Sequence, residues 1–258
     1  LKRFLSTCAG AVALAFLSAA SPARGEAPKC VVYGDLTHLD YPLTRTAREL
    51  AAGKPLRIVA IGSSSTAGAG ATKPEFSYPA QLEQLLRARY PHNDVRVTNL
   101  GQNGIDIDEM LKQIDKVVAD QNPQLLLAQM GTNTVLREES LTVAEDKMKE
   151  MLKRMRAKGV DVILVDQQYA PKVNERKNSI PMLGILENLS EEFGYSVFRR
   201  HTMMQRWHLK EGIGFEITIH PDQLHMNNWS YGCWARNLGA ALSRLLAQPV
   251  PAIALHGR

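Results

Sequence analysis

Short apolar runs alternate along this chain with longer stretches in which apolar residues return every three or four positions. Leu56–Ile61 is the first run, with Ile58, Val59, Ala60 and Ile61 in succession. Continuous apolar runs of this length suit strands buried on both faces. Val95–Asn99 and residues 124–130, 160–165 and 195–198 read the same way. Helical patterns lie between them. Residues 79–90 set Leu82, Leu85 and Leu86 on one face, and residues 107–120 gather Met110, Leu111, Ile114, Val117 and Val118. Residues 141–158 end at Gly159, a common helix stop. Residues 180–193 and 227–246 complete the helices, and residues 42–52 form a short one ahead of the first strand.

Five such β-α units predict an α/β chain: a doubly wound, flavodoxin-like three-layer sandwich with a five-stranded parallel sheet. The organised domain spans residues 54–248, after an N-terminal extension at 26–53 and before a C-terminal tail at 249–258. Ahead of these, Lys2 and Arg3 precede an apolar stretch at 4–17 and a run rich in Ala, Ser, Pro and Gly that ends at Gly25. That is the layout of an export signal peptide at residues 1–25. The apolar stretch is shorter than the roughly 20 residues of a spanning helix. The mature protein is expected to be periplasmic or secreted, with no integral membrane span.

Charge and cysteine content then sharpen the picture. The formal charge is +5. Lys2, Arg3 and Arg24 leave with the signal peptide, which brings the charge to +2. No dense Lys/Arg block remains, which argues against a nucleic-acid partner. Of three cysteines, Cys8 also leaves, and Cys30 and Cys233 remain. An exported protein permits a disulfide between them. Two separate thiols, with Cys233 buried in a helix, are the alternative.

Polar residues concentrate where the strands end. The first strand runs into Gly62, Ser63, Ser64, Ser65 and Thr66, the second into Asn99–Gly104, and the third into Gly131, Thr132 and Asn133. His220, Asp222 and His225 precede the last helix. In a doubly wound sheet the first three strand ends share one rim. A serine hydroxyl becomes a nucleophile when a base sits beside it, and imidazole titrates in the useful range. Each block also has a plainer reading. Ser65 or Thr66 suits a helix cap, Asn99 suits the turn around Gly101, and Asn133 and Asp222 suit turns. The glycines fit neither a Gly-x-Gly-x-x-Gly nor a Gly-Lys-Ser/Thr phosphate loop. No Cys or carboxylate cluster completes a metal site around His220 and His225, so neither metal nor organic cofactor is expected. His92 and His208 read as surface residues, and Trp229 and Trp234 as buried in the last helix. The polar connection at 166–179, with Tyr169 and Pro171, follows a strand, where loops often shape a site.

Taken together, the blocks resemble those of the SGNH hydrolases, also called GDSL lipases and esterases, over about residues 56–246. The marks are Ser, Gly, Asn and His in that order, with an Asp three residues before the His. Ser64, Gly104, Asn133 and His225 stand at these positions, with Asp222 ahead of the histidine. Thr66 and Gly68 fill the usual positions after the nucleophile. Ser63 departs from the pattern by standing where the family usually has Asp. The resemblance implies a catalytic Ser64, Asp222 and His225. It implies an oxyanion hole from the Ser64 and Gly104 backbone amides and the Asn133 side chain, with Gly101 as the alternative glycine. The activity it implies is ester hydrolysis on a small-molecule or glycan ester, with an acetylated envelope or extracellular glycan as the expected substrate. Acyl transfer through the same serine is the first alternative. A glycan-binding or glycoside-processing protein on the same fold is the second.

Overall fold

The computed structural model of the chain describes residues 27–247. The expected signal peptide at 1–25 and the tail at 249–258 lie outside the described residues. The elements are α1 (Thr44–Ala51), β1 (Leu56–Ile61), α2 (Ser64–Ala67), a 3₁₀ turn (Pro74–Phe76), α3 (Tyr78–Arg89), β2 (Val95–Asn99), α4 (Ile107–Gln121), β3 (Leu125–Gln129), α5 (Thr132–Leu136) and α6 (Leu141–Ala157). They continue with β4 (Asp161–Val165), α7 (Pro171–Asn174), α8 (Ser179–Phe193), β5 (Ser196–Phe198), α9 (Arg200–Leu209), α10 (Phe215–Thr218) and α11 (Asn228–Leu246).

All five strands are parallel, in the order β2-β1-β3-β4-β5. The chain steps outward from β1 to β2, then returns past β1 to β3. Right-handed crossovers therefore put α3 on one face of the sheet and α4, α6 and α8 on the other. α3 packs on α11, and α4, α6 and α8 pack in succession. The result is the predicted three-layer sandwich. β3 is its centre: Leu125, Leu126, Leu127 and Ala128 are fully buried, as helices on both faces require. The reversal of strand order leaves a crevice beyond the carboxyl ends of β1 and β3. Ile61 pairs with Ala128, so both strands release their loops at the same rim.

The strands and long helices agree with the hydrophobic pattern to within about two residues at each end. The pattern does not reveal α2, α5, α7 and α10, which are single turns. It also misses α9, because this helix buries Arg200 and His201 beside Met203, Met204 and Trp207. Polar residues on the inner face erase the periodicity. His208, expected at the surface, is half-buried and stacks on Phe215 with centroids 4.1 Å apart. Trp234 is fully buried, whereas Trp229 is half-buried. Among the described residues no helix is long and apolar enough to cross a membrane.

The segment before α1 is strapped across α9 and α11. Cys30 and Cys233 form a disulfide, which replaces the alternative of two free thiols. The Tyr33 N–H donates to Asn237 Oδ1 at 3.0 Å, and Trp229 Nε1–H donates to Pro28 O at 2.7 Å. Arg206 grips both Asp35 oxygens at 2.9 and 2.6 Å. The disulfide joins residues 203 apart, so it removes much freedom from the unfolded chain. Reduction, or the paired change Cys30→Ala with Cys233→Ala, is expected to lower the unfolding free energy by about 2–5 kcal/mol. Urea unfolding with and without reductant measures this, and an unchanged midpoint would mean that the hydrogen bonds alone hold the strap.

Candidate active site

β1 ends at the rim, and α2 begins at Ser64. Ser63, Ser65 and Thr66 are all buried, while Ser64 is half-buried and keeps access to the crevice. Ser63 donates its N–H and its hydroxyl to Gln129 Oε1 at 2.9 and 3.1 Å. Thr66 Oγ1 donates to the same oxygen at 3.3 Å. The side-chain amide of β3 thus grips the turn at the position where an Asp is usual. A carboxylate at 63 would face that carbonyl oxygen in a buried site, whereas a neutral hydroxyl has its acceptor there. Ser65 and Thr66 sit inside α2 rather than capping it.

Ser64 Oγ lies 2.8 Å from His225 Nε2, and His225 Nδ1 lies 2.6 Å from Asp222 Oδ2. The other Asp222 oxygen accepts the N–H groups of Leu224 and His225, both at 2.9 Å. Burial pushes the Asp222 carboxyl up. Hydrogen bonds from the His225 ring and from the His225 and Leu224 amides outweigh it and hold the group at about 2. Asp222 is therefore an anion at neutral pH. An anionic acceptor at Nδ1 keeps the proton on that nitrogen, which leaves Nε2 to accept from the serine. The His225 loop is closed by an Ile219–Met226 bridge and by the His220 N–H donating to His225 O at 2.7 Å. Gln168 Nε2 and the Lys172 N–H hold it from the far side through Leu224 O and Gln223 O, both at 3.2 Å. The connection at 166–179 thus shapes the site by bracing this loop. Exposed His220 sets Nδ1 3.2 Å from Asp222 Oδ2, the oxygen that faces the His225 ring. Among the described residues no group of three or more His, Cys, Asp or Glu forms a metal-type cluster.

Asn133 is tied to the segment that carries Gly104. Asn133 Nδ2 donates one hydrogen to Ile105 O at 2.7 Å and retains a second. Gly104 adopts φ 77°, a left-handed conformation that suits glycine. Its N–H meets no acceptor among the described residues, while its carbonyl accepts from Arg137 Nη2 at 2.5 Å. Gly101 differs. Its N–H donates to Asn99 Oδ1 at 3.0 Å, and a Cβ there would lie 2.2 Å from Ala67 N. It packs against the back of α2, which Asn99 Nδ2 also holds through Thr66 O at 2.9 Å. Of the two glycines weighed as donors, Gly104 is the one whose amide is available.

This geometry brings Ser64, Asp222 and His225 into one hydrogen-bonded chain, with Gly104 and Asn133 joined through the adjacent Ile105. Gln129, Gln168 and Arg137 were not anticipated. The available signal was a glutamine inside an otherwise apolar strand, since a buried amide demands partners.

One protein-family model, that of the non-GDSL lipase-like family, matches residues 29–248. The chain belongs to the non-GDSL lipase-like family. Solved structures share its fold. A two-domain esterase active on acetylated mannans gives a TM-score of 0.70 at 16% identity, over 83% of this chain and 57% of its own. This chain thus spans little more than half of that enzyme. TesA gives 0.62 at 20% identity, over 73% and 99%. AlinE4, an SGNH-hydrolase family esterase, gives 0.52 at 25% identity, over 62% and 83%. No curated protein sequence matches the chain. In its three-layer fold this member of the non-GDSL lipase-like family is similar to an SGNH-hydrolase family esterase.

Gly101→Ala is expected to cost about 1–3 kcal/mol by overpacking against backbone and to shift the α2 amide resonances. Gly104→Ala is expected to cost about 1–2 kcal/mol as a left-handed non-glycine residue and to leave α2 in place. Urea unfolding and amide spectra compare them, and equal α2 shifts would remove the supporting role of Gly101. The folded pKa of Asp222 is depressed, so its contribution to stability is present above about pH 4 and is lost as pH falls toward 2. Unfolding midpoints between pH 2 and 6 should show this slope weakened in Asp222→Asn.

Proposed function

We propose that this protein is an exported esterase that removes acyl groups, acetyl foremost, from an acylated envelope or extracellular glycan through an acyl-serine intermediate. The observation that carries the reading is the Ser64–His225–Asp222 chain of hydrogen bonds, 2.8 and 2.6 Å long. Ser64 Oγ attacks the ester carbonyl carbon while His225 Nε2 takes its proton. Asp222 orients the ring and stabilises the imidazolium. The oxyanion is met by the Ser64 N–H at the start of α2, the Gly104 N–H and the second hydrogen of Asn133 Nδ2. Each such donor contributes about 3–4 kcal/mol at the transition state. Collapse breaks the ester bond, and the alcohol leaves with the proton from His225. Water, deprotonated by His225, then attacks the acyl carbon, the acyl–Oγ bond breaks to release the carboxylic acid, and His225 returns the proton to Ser64 Oγ. Neither a metal nor an organic cofactor is required by these steps.

The glycan reading draws on the esterase active on acetylated mannans, whose fold this chain shares. The export reading draws on the pattern of residues 1–25 and on the Cys30–Cys233 disulfide, which forms in oxidising compartments. Both features support a periplasmic or extracellular protein.

Purified protein is expected to hydrolyse p-nitrophenyl acetate faster than long-chain esters and to release acetate from acetylated mannan. Ser64→Ala should lose about three or more orders of magnitude in kcat. Equal rates for wild type and Ser64→Ala would remove the nucleophile assignment. Acetate released from simple esters but not from acetylated glycans would remove the substrate class.

A further inference from the structure

Gln168 lies just past the carboxyl end of β4 and is 1% exposed. Its Oε1 accepts from Ser65 Oγ at 3.3 Å, Thr132 Oγ1 at 3.5 Å and Arg200 Nη2 at 3.2 Å. Its Nε2 donates to Leu224 O at 3.2 Å. The orientation of this amide is set by chemistry. A guanidinium only donates, so the oxygen faces Arg200, and a backbone carbonyl only accepts, so the nitrogen faces Leu224.

Three of these contacts share one feature. Ser65 follows Ser64, Thr132 precedes Asn133, and Leu224 precedes His225. One buried amide therefore touches the chain neighbour of the attacking hydroxyl, of the side-chain oxyanion donor and of the base. The bonds also run in one direction. Gln129 Nε2 donates to Thr132 Oγ1 at 3.1 Å, Thr132 Oγ1 to Gln168, and Gln168 to Leu224 O. The line starts at the amide that holds Ser63 and ends beside the imidazole.

We propose that Gln168 is the positioning residue that sets where His225 and Asn133 stand relative to Ser64. The proposal rests on the hydrolase reading above. Gln168 reaches no reacting atom and acts through the three segments it joins. Loss of about 1 Å in such a constellation costs on the order of 10²-fold in rate.

The test separates positioning from simple satisfaction of Arg200. Gln168→Glu keeps an acceptor for Arg200 and sets an oxygen against Leu224 O. Gln168→Met fills similar volume and offers neither bond. Steady-state kinetics on p-nitrophenyl acetate, circular dichroism and the proton resonance of His225 Nδ1–H, assigned by its loss in His225→Ala, are measured for each. The expected result is a fall in kcat of about 10²-fold in both variants, with KM within about threefold, native circular dichroism and a displaced Nδ1–H resonance. A folded Gln168→Glu with wild-type kcat and an unmoved resonance overturns the proposal, even if Gln168→Met unfolds. Absence of Ser64-dependent turnover in wild type would fail the hydrolase reading instead, and the resonance would still decide whether Gln168 places His225.

Discussion

Ser64 and His225 stand 161 positions apart in the chain and 2.8 Å apart in space, and the rest of the structure depends on keeping them there. A serine hydroxyl is a weak nucleophile until a base takes its proton, so tenths of an ångström in this contact matter. The parallel sheet supplies the stiff reference. β1 and β3 are paired in register and buried on both faces, and their loops leave from the same rim. The His225 loop is not part of the sheet. It owes its place to the bridge between Ile219 and Met226 and to its two bonds with the connection after β4.

Holding three loops together from behind requires burying polar groups, and unpaired ones are costly. The solution here is a layer of neutral side chains, Ser63, Gln129, Thr132 and Gln168, that satisfy one another. Charges enter only at its inner edge. Arg200 is fully buried, with Nη2 on Asp166 O at 2.5 Å and its guanidinium 4.7 Å from the Trp234 ring centroid. Burial pushes the Asp166 carboxyl up to about 7, although it accepts the His201 N–H at 2.9 Å. Burial pushes Arg200 down to about 10. Both shifts follow from water being excluded from the floor of the site.

The substitution of Ser63 for the usual Asp belongs to the same layer. With Gln129 opposite, the position holds a donor to an amide oxygen. The turn is secured by neutral hydrogen bonds to the adjacent strand, so the departure from the family pattern has a local partner.

Much of this was legible in the chain. Continuous apolar runs and period-3.6 patterns respond to burial, and the strands and long helices are buried accordingly, so their bounds could be read directly. The order of Ser64, Gly104, Asn133, Asp222 and His225 could be read because it resembles the SGNH marks, with the first three following strands and the last two preceding the final helix. What could not be read depends on distance in space. Arg200 on α9 is hidden from hydropathy because its burial is made tolerable by Asp166 and Trp234, which lie elsewhere in the sequence. The separation of Gly104 from Gly101 needed the third dimension, since both are glycines in one loop and only contact with α2 and Asn99 distinguishes them. Gln129 and Gln168 carry no motif. Their roles arise from which backbone and side-chain atoms they meet across strands. Sequence alone therefore determined the architecture and the chemical inventory, because those follow from local periodicity and residue type. Tertiary structure alone decided which glycine offers its amide, what stands in for the missing carboxylate and what braces the imidazole, because hydrogen bonds are set by separations of about 3 Å between segments far apart in the chain.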